Sequence, residues 1–132
     1  MIVLDTHALV WWLDPDQSKL TTRALRVIDD ELREGGVVAS SISAREIAML
    51  VSKGRLQLSM DVLPWLATAG EIEGFRFLPV DNLVAVKSVM LPGDFHADPA
   101  DRIIVALARE LAASLVTADD KISSYPHVAT IW

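Results

Sequence analysis

Met1-Ile2-Val3-Leu4-Asp5-Thr6-His7-Ala8-Leu9-Val10 is the stretch that decides the fold. Ile2, Val3 and Leu4 are too few for an amphipathic helix, but an uninterrupted apolar triplet suits a strand buried on both faces. The run stops on a carboxylate, which puts Asp5 at the carboxyl end of that strand. In an open α/β sheet that edge is where ligands bind. A second reading stands beside it, in which Asp5 or Thr6 caps the helix that follows.

Strand and helix alternate outward from this start. Ala8 to Leu13 predicts a short helix closed at Asp14-Pro15, with Trp11 and Trp12 either in the core or at an interface. Thr21 to Glu34 keeps helical spacing and ends at Gly35-Gly36. Val37-Val38-Ala39 is the next buried strand, followed by a helix from Ala44 to Lys53 that stops at Gly54. Leu56 to Leu58 alternates apolar and polar, and Met60 to Ala69 reads as a helix with Pro64 in its first turn. Phe75 to Val80 is a third strand, which Pro79 places near an edge or ends early. Asn82 to Met90 predicts a helix with Leu83, Val84, Val86 and Val89 in the core. A helix opening at Asp98-Pro99 runs through Ile103 to Ala113 and is apolar enough to be buried. Leu115-Val116-Thr117 is a fourth strand and Val128 to Trp132 a fifth. The expected architecture is α/β, one domain over residues 1–132, with a mostly parallel sheet of about five strands flanked by helices.

Composition narrows the function classes. Hydrophobic residues make up 52% of the chain, which argues for a real core and against disorder. The longest apolar run, Ile103 to Ala108, falls far short of the roughly 20 residues of a membrane span. No signal peptide precedes the first strand and there is no cysteine, so neither disulfides nor thiolate metal sites are expected. A cytoplasmic protein is the expectation. The formal charge is -6, with 18 acidic residues against 12 basic ones, so no overall positive field attracts a polyanion.

Four acids share one predicted rim. Asp5 and Asp119 end strands, whereas Glu46 and Asp101 lie in the first turns of helices that start at the same edge. Glu46 also has a structural reading, since Ser43-Ala44-Arg45-Glu46 matches a capping box. Asp98 is placed as a helix cap, which leaves Asp101 free to face the rim. Clustered carboxylates repel unless a cation sits among them, and the sequence supplies no matching lysine cluster. Hard divalent cations such as Mg2+ or Mn2+ suit an all-oxygen donor set. They would lower the pKa of a nucleophilic water and stabilise an in-line phosphoryl displacement. Arg45, Lys53, Arg55 and Arg102 lie near two of the acids, either to position a nucleic-acid backbone or as solvated helix ends.

The segments Ile2-Val3-Leu4-Asp5-Thr6-His7, Ser43-Ala44-Arg45-Glu46-Ile47-Ala48, Lys53-Gly54-Arg55-Leu56, Asp98-Pro99-Ala100-Asp101-Arg102-Ile103-Ile104-Val105-Ala106 and Leu115-Val116-Thr117-Ala118-Asp119 together resemble the PIN-domain ribonucleases, and more narrowly the VapC-type toxins of toxin-antitoxin pairs. The resemblance implies a Mg2+- or Mn2+-dependent endoribonuclease, dimeric and held inactive by a cognate antitoxin. It places the family's acidic quartet on Asp5, Glu46, Asp101 and Asp119. Asp5, Asp101 and Asp119 are the implied metal ligands, Glu46 completes the shell or orients water, and Thr6 and Thr117 are polar neighbours. Asp98 becomes an outer ligand on this view and a helix cap on the physical one. Arg45 departs from the pattern, which commonly carries an aromatic residue before the glutamate.

Two rivals remain. A phosphohydrolase with Asp5 as nucleophile typically needs a second aspartate two residues on, where this chain has His7. An inactive module of the same fold, binding RNA or protein, would more naturally present a basic surface than an intact acidic quartet. His7, His96 and His127 read as structural residues rather than ligands.

Overall fold

In the computed structural model, which describes Met1–Trp132, five short strands build one sheet. They are β1 (Ile2–Leu4), β2 (Val37–Ser40), β3 (Phe75–Leu78), β4 (Ser114–Val116) and β5 (Thr130–Ile131). Their order is β3-β2-β1-β4-β5, and every neighbouring pair is parallel. Seven helices connect and cover them: α1 (Thr6–Leu13), α2 (Thr22–Arg33), α3 (Ile42–Ser52), α4 (Val62–Gly70), α5 (Asn82–Val89), α6 (Pro99–Glu110) and α7 (Asp120–Ser123).

The sheet is buried on both faces, as the apolar triplet predicts. Ile2 and Leu4 join the core formed with α1, α2 and α4, whereas Val3 joins the one formed with α6 and α7. Val37 and Ala39 follow Ile2, and Val38 follows Val3, which is the two-residue alternation of a strand. Val3 and Leu4 are fully buried, and each such side chain contributes about 1.5–3 kcal/mol by leaving water. β1 lies at the centre, and the chain order reverses between it and β4. The crevice outside the carboxyl ends of β1 and β4 is therefore the switch point of the fold.

Several expectations are corrected. Helix α3 begins at Ile42 rather than Ala44, so Ser43 lies inside it and the capping box does not form. Ser41 occupies the cap position without a side-chain bond. Leu56 and Leu58 pack partly buried against the core. In α5 only Val84 and Ser88 are buried, one turn apart, because the helix is short and rests on α6 by a narrow stripe. Leu83, Val86 and Val89 are exposed instead. The last strand shortens to Thr130–Ile131. β3 is an edge strand ending just before Pro79, as that proline indicates. Trp12 is core, stacked on Phe75, while Trp11 is half-buried against Trp132. No helix is long and apolar enough to cross a membrane.

Candidate active site

β1 and β4 end side by side, with Leu4 in register with Val116, so the residues that follow them meet at the switch point. Asp5 is both a cap and a site residue. One carboxylate oxygen, Oδ1, accepts from the Ala8 amide at 2.8 Å and starts α1, while Oδ2 accepts from the Thr117 hydroxyl. Thr117 in turn accepts from the Asp119 amide at 3.0 Å, so this buried threonine ties the ends of β1 and β4 together. Asp119 caps α7 through Oδ1, which accepts from Lys121 and Ile122.

Glu46 reaches the same rim from α3. Its Oε1 accepts from the Thr6 hydroxyl at 2.6 Å. Thr6 has one proton and gives it to a carboxylate that can only accept, so the Ser43 hydroxyl, 2.8 Å away, donates to Thr6. Ser43, Thr6 and Glu46 thus form a directed relay, with Ser43 and Thr6 buried.

Asp98 caps α6, accepting from Ala100 at 2.9 Å and Asp101 at 3.2 Å, with Pro99 in the first turn. Asp101 follows in that turn and turns to the acids. The His96 imidazole lies beside it, with Nε2 3.0 Å from Oδ2 but making no hydrogen bond.

The electrostatics match four anions with too little to offset them. No lysine or arginine forms an ion pair with Asp5, Glu46, Asp101 or Asp119. Burial raises the Asp5 carboxyl, against the lowering effect of its bonds from Thr117 and Ala8. Asp101 is pushed up to about 7, first by burial and then by Asp98, Asp119, Glu46 and Asp5. Asp101 therefore feels the other three acids of the predicted quartet, and Asp5 feels Asp119. As they stand, no three acids or histidines come close enough to cage an ion. The donor chemistry nevertheless fits one. Every donor is a hard oxygen, the charge is uncompensated, and Glu46, Asp101 and Asp119 each keep a carboxylate oxygen that accepts no hydrogen bond.

The cations separate into two groups. Arg45, Lys53 and Arg55 line one cavity of about 510 Å³ with Glu46 and Asp98. Arg102 does not join them. Its guanidinium donates to the carbonyls of Ser88, Val89, Phe95 and His96, which engages four of its five N–H groups in holding the end of α5 and the approach to α6. Sequence reasoning read Ser43 as a cap and so missed its bond to Thr6, and it did not anticipate that His96, read as structural, lies beside Asp101. Ser43 stands three residues before Glu46 and hence on the same helix face, which was an available signal. For His96 no periodicity crosses Pro99 to reveal the contact.

Known proteins share this parallel α/β domain. The model of the PIN domain family matches residues 2–128. The chain belongs to the PIN-domain family. It is 36% identical over 135 positions to Ribonuclease VapC22 of Mycobacterium tuberculosis, covering 99% of this chain and 98% of that one. Identity of that order along both chains places it with the VapC-type members. The crystal structure of FitAcB from Neisseria gonorrhoeae superposes with a TM-score of 0.69 at 25% identity, covering 100% of this chain and 97% of that one. A toxin-antitoxin complex from Klebsiella pneumoniae gives 0.62 at 18% identity, covering 98% and 97%, and supports the fold alone.

Proposed function

We propose that the chain is a Mg2+- or Mn2+-dependent endoribonuclease, the toxin of a VapC-type toxin-antitoxin pair, acting on RNA in the cytoplasm. The observation that carries this is the uncompensated acidic rim, above all Asp101 raised to about 7 among four other carboxylates. Such a cluster calls for a cation, and the 36% identity to a ribonuclease along its full length supports the substrate.

Asp5, Asp101 and Asp119 would hold the ion, with Glu46 completing the set. A bound divalent ion supplies a more acidic water and neutralises the phosphate. The chain's own residues do the positioning. Thr117 fixes Asp5, and the Ser43–Thr6 relay fixes one oxygen of Glu46 and leaves the other to orient water. Arg45, Lys53 and Arg55 stand where an RNA backbone can run beside Glu46. Asp98 is a capping residue whose charge adds to the field on Asp101.

A cognate antitoxin that covers the rim and a homodimer complete the reading. The exposed apolar row Leu83, Val86, Val89 and Met90 on and just after α5 supports the second copy. The test is cleavage of single-stranded RNA with Mg2+, Mn2+ or EDTA by wild type, Asp5→Asn and Asp101→Asn. Cleavage that needs the ion and both acids is expected. EDTA-resistant phosphate transfer trapped on Asp5, or RNA binding without turnover, overturns it.

A further inference from the structure

We infer that the small cavity beside Asp5 and Asp119 seats a nucleobase of single-stranded RNA next to the bond to be cut, with His7 and Trp11 as the stacking platform. The inference rests on the ribonuclease reading and adds to it the residues that grip a base.

The cavity has a volume of about 230 Å³ and is lined by Asp5, His7, Trp11, Ala118 and Asp119. It is smaller than the roughly 300 Å³ at which sites for drug-sized ligands begin, which suits one flat ring system. His7 and Trp11 are four residues apart and share one face of α1, with ring centroids 5.6 Å apart. Trp132 backs Trp11 at 5.8 Å, and the Lys19 ammonium lies 5.7 Å from the Trp11 ring. His7 is exposed and Trp11 half-buried, so both rings reach solvent within a turn or two of the carboxylate that starts the same helix, with the Lys19 ammonium over one side of Trp11.

The aromatic surface decides what enters. With an ion on Asp5 and Asp119 the wall no longer selects by charge, and the rings of His7 and Trp11 offer stacking, the usual way proteins hold unpaired RNA bases. The cationic groove at Arg45, Lys53 and Arg55 lies towards β2, because α3 follows that strand, whereas Asp119 follows β4 on the other side of β1. An RNA strand crossing the acids thus has a phosphate track on one side and a base seat on the other.

A purely structural Trp11, closing α1 against the carboxyl terminus, makes a different prediction, and abasic substrates separate the two. A short single-stranded RNA is cut by wild type in Mg2+ to locate the bond, then resynthesised with an abasic nucleotide on either side of it. One abasic position is expected to lower kcat/KM on the order of tenfold in wild type. The same lesion is expected to cost Trp11→Leu little, because its base already lacks a platform, and Trp11→Phe is expected to restore the sensitivity. Equal abasic penalties in wild type and Trp11→Leu, or none in wild type, overturn the base seat and leave the nuclease standing. Wild type that cuts no RNA while Asp5→Asn behaves identically overturns the nuclease reading, and the base seat with it.

Discussion

Asp101→Asn separates a charge that the fold tolerates from one that the chemistry needs. The Asp101 carboxyl sits at about 7 against an ordinary value of 3.8, because burial and four neighbouring acids oppose its ionisation. Between those values the folded chain holds a proton that the unfolded chain has released. Stability therefore falls as pH rises from about 4 to about 7 and levels off above, the reverse of a salt-bridged carboxylate. Each pH unit in that window corresponds to about 1.4 kcal/mol for a wholly enclosed group. Asp101 keeps 21% of its side chain exposed, so solvent screening leaves about half of that, or about 2 kcal/mol across the window. Asparagine keeps the shape and removes the charge. In EDTA at about pH 8 the variant is expected to be more stable than wild type by about 1–2 kcal/mol, and at about pH 5 by less than about 1 kcal/mol. Urea unfolding followed by tryptophan fluorescence reads both. Mg2+ at about 100 times its Kd stabilises a binding-competent chain by about 2.7 kcal/mol, so its addition is expected to favour wild type and reverse the order. A variant less stable than wild type at high pH without divalent ions, or a difference that ignores pH, refutes the reasoning.

Thr6→Val removes the hydroxyl between Ser43 and Glu46 and leaves the fully buried Ser43 without its partner. A loss of about 1–3 kcal/mol in denaturation and a lower kcat at nearly unchanged KM are expected. Arg102→Lys cannot reproduce a fork that reaches four carbonyls, so it is expected to cost about 2–3 kcal/mol of stability, read by thermal melting, while the salt dependence of RNA binding stays as in wild type. Replacing Arg45, Lys53 and Arg55 together by Gln is expected to raise KM and flatten the salt dependence by about two units of slope, at about 0.7 per phosphate contact, with kcat retained. Val86→Glu on the exposed face of α5 is expected to yield a monomer by light scattering.

The parts of this molecule that were legible beforehand are those in which one residue type has one physical use. Ile2-Val3-Leu4 reads as a strand buried on both faces because no charge interrupts it, and the structure buries all three. Asp98-Pro99 reads as a helix start because the pair satisfies orphan amides and pre-sets the first turn, and it does both. α5 was misread because an apolar row on a helix looks the same whether it faces a core or solvent, and only its neighbours decide which. Glu46 carried two readings, cap and rim acid, for a related reason. A serine three residues before a glutamate suits both a capping box and a shared helix face, and the two differ by where the helix begins. Arg102 beside an acidic motif invites an RNA contact, yet the carbonyls it holds belong to segments up to fourteen residues away. Such a partner leaves no local trace.

Placing the acids one at a time explains why the fold can carry them at all. Asp5 and Asp119 accept amide protons at helix starts, and Asp101 stands in a first turn, where the helix dipole favours an anion. Glu46 has the Thr6 hydroxyl instead. Asp5, Glu46 and Asp119 each have a local donor, whereas Asp101 has only its place in the first turn. Parallel topology then brings the four helix starts to one edge, and the same placement that favours each anion alone sets them against one another. The local hydrogen bonds leave that repulsion in place, because none of them reaches the Asp101 carboxylate, not even from the nearby His96 Nε2. Mobile positive charge would relieve it, which is the part the proposed divalent ion plays. On the proposed function, stability and chemistry are thereby coupled through one set of side chains, so an ion that enables cleavage is also expected to strengthen the fold that positions it.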